Sequence, residues 1–85
     1  MFVVRLKRSN EDFDFKTFKS KKAAVARLRA AQGEMIDGHV EECALFDAPT
    51  TDAEHAVEMV KQGKARLIES NLGSDGPPRA SRPTA

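Results

Sequence analysis

The sequence predicts an α+β fold: a two-layer sandwich of about four strands with two helices on one face, in the order ββαβαβ. Two observations predict this class. Short segments alternate apolar with polar residues, as strands with one buried face do. Two other segments carry apolar residues at helical spacing and begin with capping residues. Two helices with one apolar face each are most simply placed on one side of a single sheet.

The first two strands are predicted to form a hairpin. Apolar side chains occupy every second position of residues 2–7, and residues 9–12 form a polar turn. Phe13 and Phe15 then alternate with charged residues, which predicts a short returning strand. Core residues commonly alternate in this way, so we assign both phenyl rings to the core.

Residues 21–32 have the periodicity of a helix. Ala24 and Leu28 fall on one face of it, Ser20 is a candidate N-cap, and Gly33 is placed just after its end.

Residues 38–46 have apolar side chains at both alternating sets of positions, which predicts an interior strand. Its alternation places Val40 on the same face as Ala44 and Phe46.

A second helix is predicted over residues 52–62. Thr51 and Glu54 match a capping box at its start, and Gly63 marks its end. Residues 65–69 then return to the sheet as a fourth strand.

The face of the sheet opposite the helices is expected to remain open to solvent. Its predicted residues are of mixed character: Val3, Arg5, Lys7, Asp14, Lys16 and Arg66.

The 85 residues predict one domain, residues 1–71, and a disordered C-terminal tail, residues 72–85, that is poor in apolar side chains. The single Cys43 forms no internal disulfide, and no apolar run reaches the roughly 18 residues that a membrane span needs. The N-terminus lacks the apolar core of a secretory signal. We therefore expect a cytoplasmic location and no membrane partner.

No residue is predicted to be catalytic, to bind a cofactor or to bind a metal. On one strand His39 and Cys43 would lie about 13 Å apart, at roughly 3.3 Å per residue, which is too far to share an ion. His55 falls on the outer side of the second helix. No phosphate loop, nucleophile motif or paired carboxylates appear, so we do not expect an enzyme.

Charge is segregated along the chain, although the net charge is only +1. Residues 1–32 hold nine Lys and Arg against three acids, a net charge of +6, and residues 33–63 hold one Lys against eight acids, a net charge of −7. Residues 64–85 hold four basic residues against two acids, a net charge of +2.

Three interpretations of this segregation stay open. The basic block binds a polyanion, with four candidate contacts: Lys19, Lys22, Arg27 and Arg29. Alternatively the blocks pair within the fold, with Glu54 and Glu58 of the second helix near Lys22 or Arg29 of the first. In the third interpretation the charged patches meet between subunits.

No functional motif of a characterised family is present. The segments Phe2-Val3-Val4-Arg5-Leu6 and Phe18-Lys19-Ser20-Lys21-Lys22-Ala23-Ala24 resemble the start of sporulation-related repeat domains, which bind cell-wall glycans. Those domains normally follow an export or membrane segment, which is not seen here, so their function is not carried over.

We therefore expect a small, non-catalytic protein-interaction or self-associating module, whose partner is another protein or a second copy of the chain. The alternative is weak, sequence-tolerant nucleic-acid binding through the basic N-terminal third.

Overall fold

The computed structural model describes residues 1–71, and the predicted tail, residues 72–85, lies outside them. Six elements follow in order: β1 (Phe2–Arg8), β2 (Phe13–Phe18), α1 (Lys21–Ile36), β3 (Val40–Asp47), α2 (Ala53–Lys61) and β4 (Arg66–Ser70). The strands form one antiparallel sheet in the order β2-β1-β3-β4. The α+β class, the four strands, the two helices and the order ββαβαβ are thus confirmed.

The helices lie on opposite faces of the sheet, which corrects the predicted two-layer sandwich. Leu28 of α1 packs in a core with Val4 and Leu6 of β1. Val60 of α2 packs in a second core with Val3 of the same strand. We call the two sides of the sheet the α1 face and the α2 face. The molecule therefore has three layers, with the sheet in the middle.

The sequence of β1 explains why both faces need a cover. Successive side chains of a strand point to opposite faces, and the neighbours Val3 and Val4 are both fully buried. Leaving either face bare would expose one of these valines to water. The expectation that Val3 lies on an open face is therefore wrong.

The other predicted open-face residues do not share one face either. Antiparallel pairing sets Asp14 opposite Leu6 and Lys16 opposite Val4. Opposed residues in a sheet point to the same side, so both charged residues belong to the α1 face. Arg5 alternates with Val4 and lies on the α2 face.

An irregularity in β3 changes the predicted alternation of that strand. Lys7 is opposite Glu42 and Arg8 is opposite Val40, so Glu41 is an extra residue with no partner in β1. A bulge of this kind shifts the alternation of side chains by one position. Val40 consequently packs in the α1 core together with Cys43, and its predicted place beside Ala44 is wrong.

Helix α1 begins as predicted but ends later. The backbone N–H of Ala23 donates to the Ser20 hydroxyl at 3.3 Å, which confirms the N-cap. Gly33 lies inside the helix, because the following turn packs Met35 against the α1 core. Gly38, with a φ of +84°, follows the C-cap and ends the helix instead of Gly33.

Helix α2 is capped by Asp52 and not by the predicted capping box of Thr51. The Asp52 side chain accepts a hydrogen bond from the backbone N–H of Glu54 at 3.2 Å. Gly63, with a φ of +74°, follows the C-cap as predicted. None of the helices within residues 1–71 has the length and apolar character to cross a membrane.

Candidate interaction surface

The four side chains predicted to contact a polyanion do not form one patch. Lys19 follows β2 and Lys22 lies in the first turn of α1, and both are exposed. Arg27 is half-buried, with Nη1 3.7 Å from a carboxylate oxygen of Glu34 in its own helix. Arg29 projects toward β4. The two lysines are available for an external anion, whereas both arginines already have acidic partners.

Arg29 joins α1 to the edge strand β4. Its guanidinium donates two hydrogen bonds to the carboxylate of Glu69, and Gln32 donates a third at 2.7 Å. Hydrogen bonds that stabilise the charged form lower the pKa of an acid. The Arg29 guanidinium, with Gln32 beside it, accordingly holds the pKa of Glu69 below its ordinary value.

Internal pairing accounts for much of the charge segregation. Four of the six ion pairs within residues 1–71 join a base of the first 32 residues to an acid later in the chain: Lys7–Glu41, Arg8–Glu34, Arg27–Glu34 and Arg29–Glu69. The predicted pairing between the helices is wrong, because α1 and α2 lie on opposite faces. Glu58 is instead 3.9 Å from Lys61 in its own helix.

Cys43 and His55 lie in different surroundings. Cys43 is buried, with Sγ 3.3 Å from the sulfur of Met35, and burial raises the pKa of its thiol. His55 is exposed, and its Nδ1 lies 3.2 Å from the Thr50 hydroxyl. In the described part of the chain no three His, Cys, Asp or Glu side chains converge as metal ligands do.

The α2 face is only partly covered, because α2 is short. Its nine residues span about 13 Å at 1.5 Å per residue, whereas the seven residues of β1 span about 23 Å. The helix packs on Val3, Phe15 and Phe46. Phe13, at the hairpin end of the sheet, lies beyond these contacts.

Phe13 is the surface residue that the sequence pattern misassigned. Its side chain is 41% exposed and joins neither core. The Arg5 guanidinium lies between two rings, 4.7 Å from the centre of Phe13 and 5.0 Å from that of Phe46. Such cation–π contacts hold an aromatic ring in place without burying it. The position of Phe13 next to a turn was the one hint of this exposure.

An open groove of about 450 Å³ runs between β2 and α2. Phe15 and Thr17 line the side that β2 forms. The side that α2 forms is lined by Ala53, Val57, Glu54 and Glu58. The alternation of β2 places Phe13 on the same face as this groove.

The outer edge of β2 is free. Within residues 1–71 the strand pairs only with β1. Asp14 and Lys16 lie along it on the α1 face, and neither takes part in the ion pairs of that region. Within the same residues β4 likewise pairs only with β3, but there Arg29 binds the carboxylate of Glu69. We use "β2 surface" for the free edge of residues 13–18 together with the adjoining groove.

Comparison with known proteins adds no relative: no family model, curated protein or solved structure matches this chain. Within the described residues, the β2 surface combines several exposed features. It offers unpaired backbone groups, an exposed aromatic ring, an apolar groove and two charges of opposite sign.

Proposed function

We propose that this chain is a small, non-catalytic protein-interaction module that associates with itself through the β2 surface. The observation that supports this most strongly is the free edge of β2 beside the exposed ring of Phe13. An edge strand presents unpaired N–H and C=O groups, which are a template for another strand. Exposed aromatic residues are typical of protein interfaces.

The size of the fold gives a physical reason for association. A core in a domain this small contributes only about 3 to 5 kcal/mol of net stability. A partner that binds the folded state adds to the free energy of unfolding by mass action. Association of the chain with itself would therefore stabilise both copies.

The experiment is sedimentation velocity over a hundredfold range of protein concentration. We expect the sedimentation coefficient to rise with concentration, and Phe13→Ser to reduce this rise. Ile36→Ser is the matched control, because Ile36 is a 75% exposed apolar residue at the end of α1. That variant should associate as the unmodified chain does. Both variants are first checked by circular dichroism for an unchanged fold.

A lysate pull-down with the same variants extends the test to other proteins. Partners captured by the unmodified chain and by Ile36→Ser, but not by Phe13→Ser, would support the β2 surface. A monomer at every concentration that also captures no partner would contradict the proposed function.

Nucleic-acid binding remains the second candidate, and one observation favours it. Single-strand binding proteins combine cationic side chains with exposed rings on which bases stack, and Arg5 with Phe13 has this composition on the open part of the sheet. The neighbouring Lys7, however, is 2.9 Å from Glu41, which leaves less positive charge for phosphates.

An NMR titration with short single-stranded and duplex DNA and RNA at low salt separates the two candidates. Shifts of the amides of Arg5, Phe13, Lys19 and Lys22 that vanish as salt rises would support nucleic-acid binding. Unshifted amides would leave protein association as the proposed function.

A further inference from the structure

We infer that two copies of the chain join through β2 in one register, with Phe15 opposite Phe15 of the partner subunit. The two four-stranded sheets then continue into one antiparallel sheet of eight strands. This inference rests on the proposed function and names its partner as a second copy of the chain. It depends on the residues of β2 and on their faces.

Symmetry restricts how two such edges can pair. Two identical edges related by a two-fold axis perpendicular to the sheet run antiparallel, and opposed residues must point to the same face. The centre of the pairing therefore falls on a residue and not between residues. With six residues in β2, two registers keep five residues opposed, one centred on Phe15 and one on Lys16.

The charges on β2 distinguish these two registers. Centring on Phe15 sets Asp14 opposite Lys16 of the partner subunit, and symmetry repeats this pair. Centring on Lys16 sets two ammonium groups against each other. Opposite charges across strands stabilise a pairing and like charges destabilise it. Both side chains lie on the α1 face and have no ion-pair partner within residues 1–71.

The α2 face favours the same register. Phe15 meets its symmetry mate at the centre, and Phe13 comes opposite Thr17 of the partner subunit. Thr17 lines the apolar groove between β2 and α2, together with Ala53 and Val57. The exposed ring of each copy is thus brought to the groove of the other. One arrangement accounts for the exposed ring, the open groove and the two unpaired charges.

The second edge of the sheet also carries an exposed apolar residue, Leu67, but its charged side chains already have partners. In β4 the carboxylate of Glu69 is bound by Arg29, and Arg66 is 3.5 Å from Asp47. Pairing of β2 with β4 of another copy would leave a free β2 edge at one end and a free β4 edge at the other, so the same contact could repeat without limit. A two-fold pairing through β2 closes at the dimer.

Charge exchange tests the register. Asp14→Lys and Lys16→Asp each put like charges across the two-fold axis, and each should raise the dimer dissociation constant roughly tenfold or more. An equimolar mixture of the two variants should form a heterodimer, because both cross-strand pairs between positions 14 and 16 then join opposite charges. Sedimentation velocity measures the association, and native mass spectrometry separates the heterodimer from the homodimers by mass.

Lys22→Asp is the control for these substitutions. It makes the same change in net charge as Lys16→Asp, at an exposed lysine of α1 outside the β2 surface. Its dissociation constant should equal that of the unmodified chain. Amide hydrogen exchange gives an independent readout, since a rise in protein concentration should slow exchange in β2 more than in β4, where only the general stabilisation of the fold acts.

The outcomes separate this inference from the proposed function. Association that the charge variants leave unchanged, or exchange that slows more in β4 than in β2, would overturn the register and leave a self-associating module. Oligomers that grow beyond the dimer would overturn the two-fold pairing in the same way. A monomer at all concentrations would overturn both.

Discussion

Val3 and Val4 are adjacent in β1 and equally buried, yet their side chains enter two different cores. Val4 packs beneath α1 with Leu28, and Val3 packs beneath α2 with Val60. A single strand thus supplies the apolar contact for both helices. Because the two helices rest on opposite sides of that strand, the molecule is a three-layer fold.

Val3→Ala and Val4→Ala should destabilise the chain by similar amounts. Each substitution removes two buried methyl groups and leaves a cavity, which costs about 2 kcal/mol of the free energy of unfolding. The two side chains share no core neighbour but belong to adjacent residues, so the double variant measures how strongly the two cores are coupled through the backbone of β1. Urea unfolding measures the free energy of unfolding of the two single variants and of the double variant. If Val3→Ala left the free energy of unfolding unchanged, that result would contradict the burial of Val3 beneath α2.

Two glycines near the end of α1 should respond to alanine with opposite signs. Gly38 has a φ of +84°, so Gly38→Ala strains the backbone and should destabilise the chain by about 1 kcal/mol. Gly33 lies within the helix, so Gly33→Ala should stabilise it by about 0.5 to 1 kcal/mol. An added Cβ meets no atom within 4 Å at either site, so backbone conformation alone sets the sign. Thermal unfolding of the two variants measures these changes in stability. Changes of the same sign would refute the prediction.

The contact of Arg29 with Glu69 should make part of the stability depend on pH. Arg29 keeps the pKa of Glu69 below its ordinary value of 4.5 in the folded state. The contribution of this contact to the free energy of unfolding is therefore present above pH 4.5. It is lost as the pH falls through the pKa that Glu69 has in the folded state. Arg29→Gln should cost up to about 1 kcal/mol at pH 7, and this difference should disappear in acid.

Urea unfolding of both chains at several pH values between 7 and 2.5 measures that difference. Lys22→Gln removes the same charge from an exposed lysine with no ion pair in the described region, so its effect should be small and should not depend on pH in this way. A constant loss of stability in Arg29→Gln at every pH would show that Glu69 is not the group involved.

Cys43 should resist thiol reagents until the fold opens. Its side chain is 2% exposed, and burial keeps its pKa above the ordinary value, so little thiolate is available. We expect native protein to react roughly a hundredfold or more slowly than protein unfolded in urea. The rate of reaction with a chromogenic disulfide reagent measures this. Rapid labelling of the native chain would show that β3 is accessible from the side of α1.

The element types were predictable because they depend on local patterns. Neighbouring residues show the period of two in β1 and β2 and the period of 3.6 in α1 and α2. The Ser20 cap is likewise a local signal. Element ends were less accurate. Gly33 matched a stop signal, but the packing of Met35 against the core outweighed it and lengthened α1 to Ile36.

The candidate surface depended on contacts distant in the chain. The four basic residues chosen by charge alone include two arginines whose acidic partners become visible only after folding. Phe13 looked like a core residue, because its alternation matches that of Phe15. Because α2 is short, it covers the ring of Phe15 and leaves that of Phe13 exposed. The residues next to Phe13 carry no information about the length of α2.

The sequence by itself determined the number, kind and order of the strands and helices, since hydrophobic periodicity and capping act within a few residues. The tertiary structure alone decided which face of the sheet each helix covers, through the two valines of β1. It also decided the register shift at Glu41. These outcomes follow from burial summed over segments far apart in the chain, where no single segment carries enough apolar surface to fix its own partner.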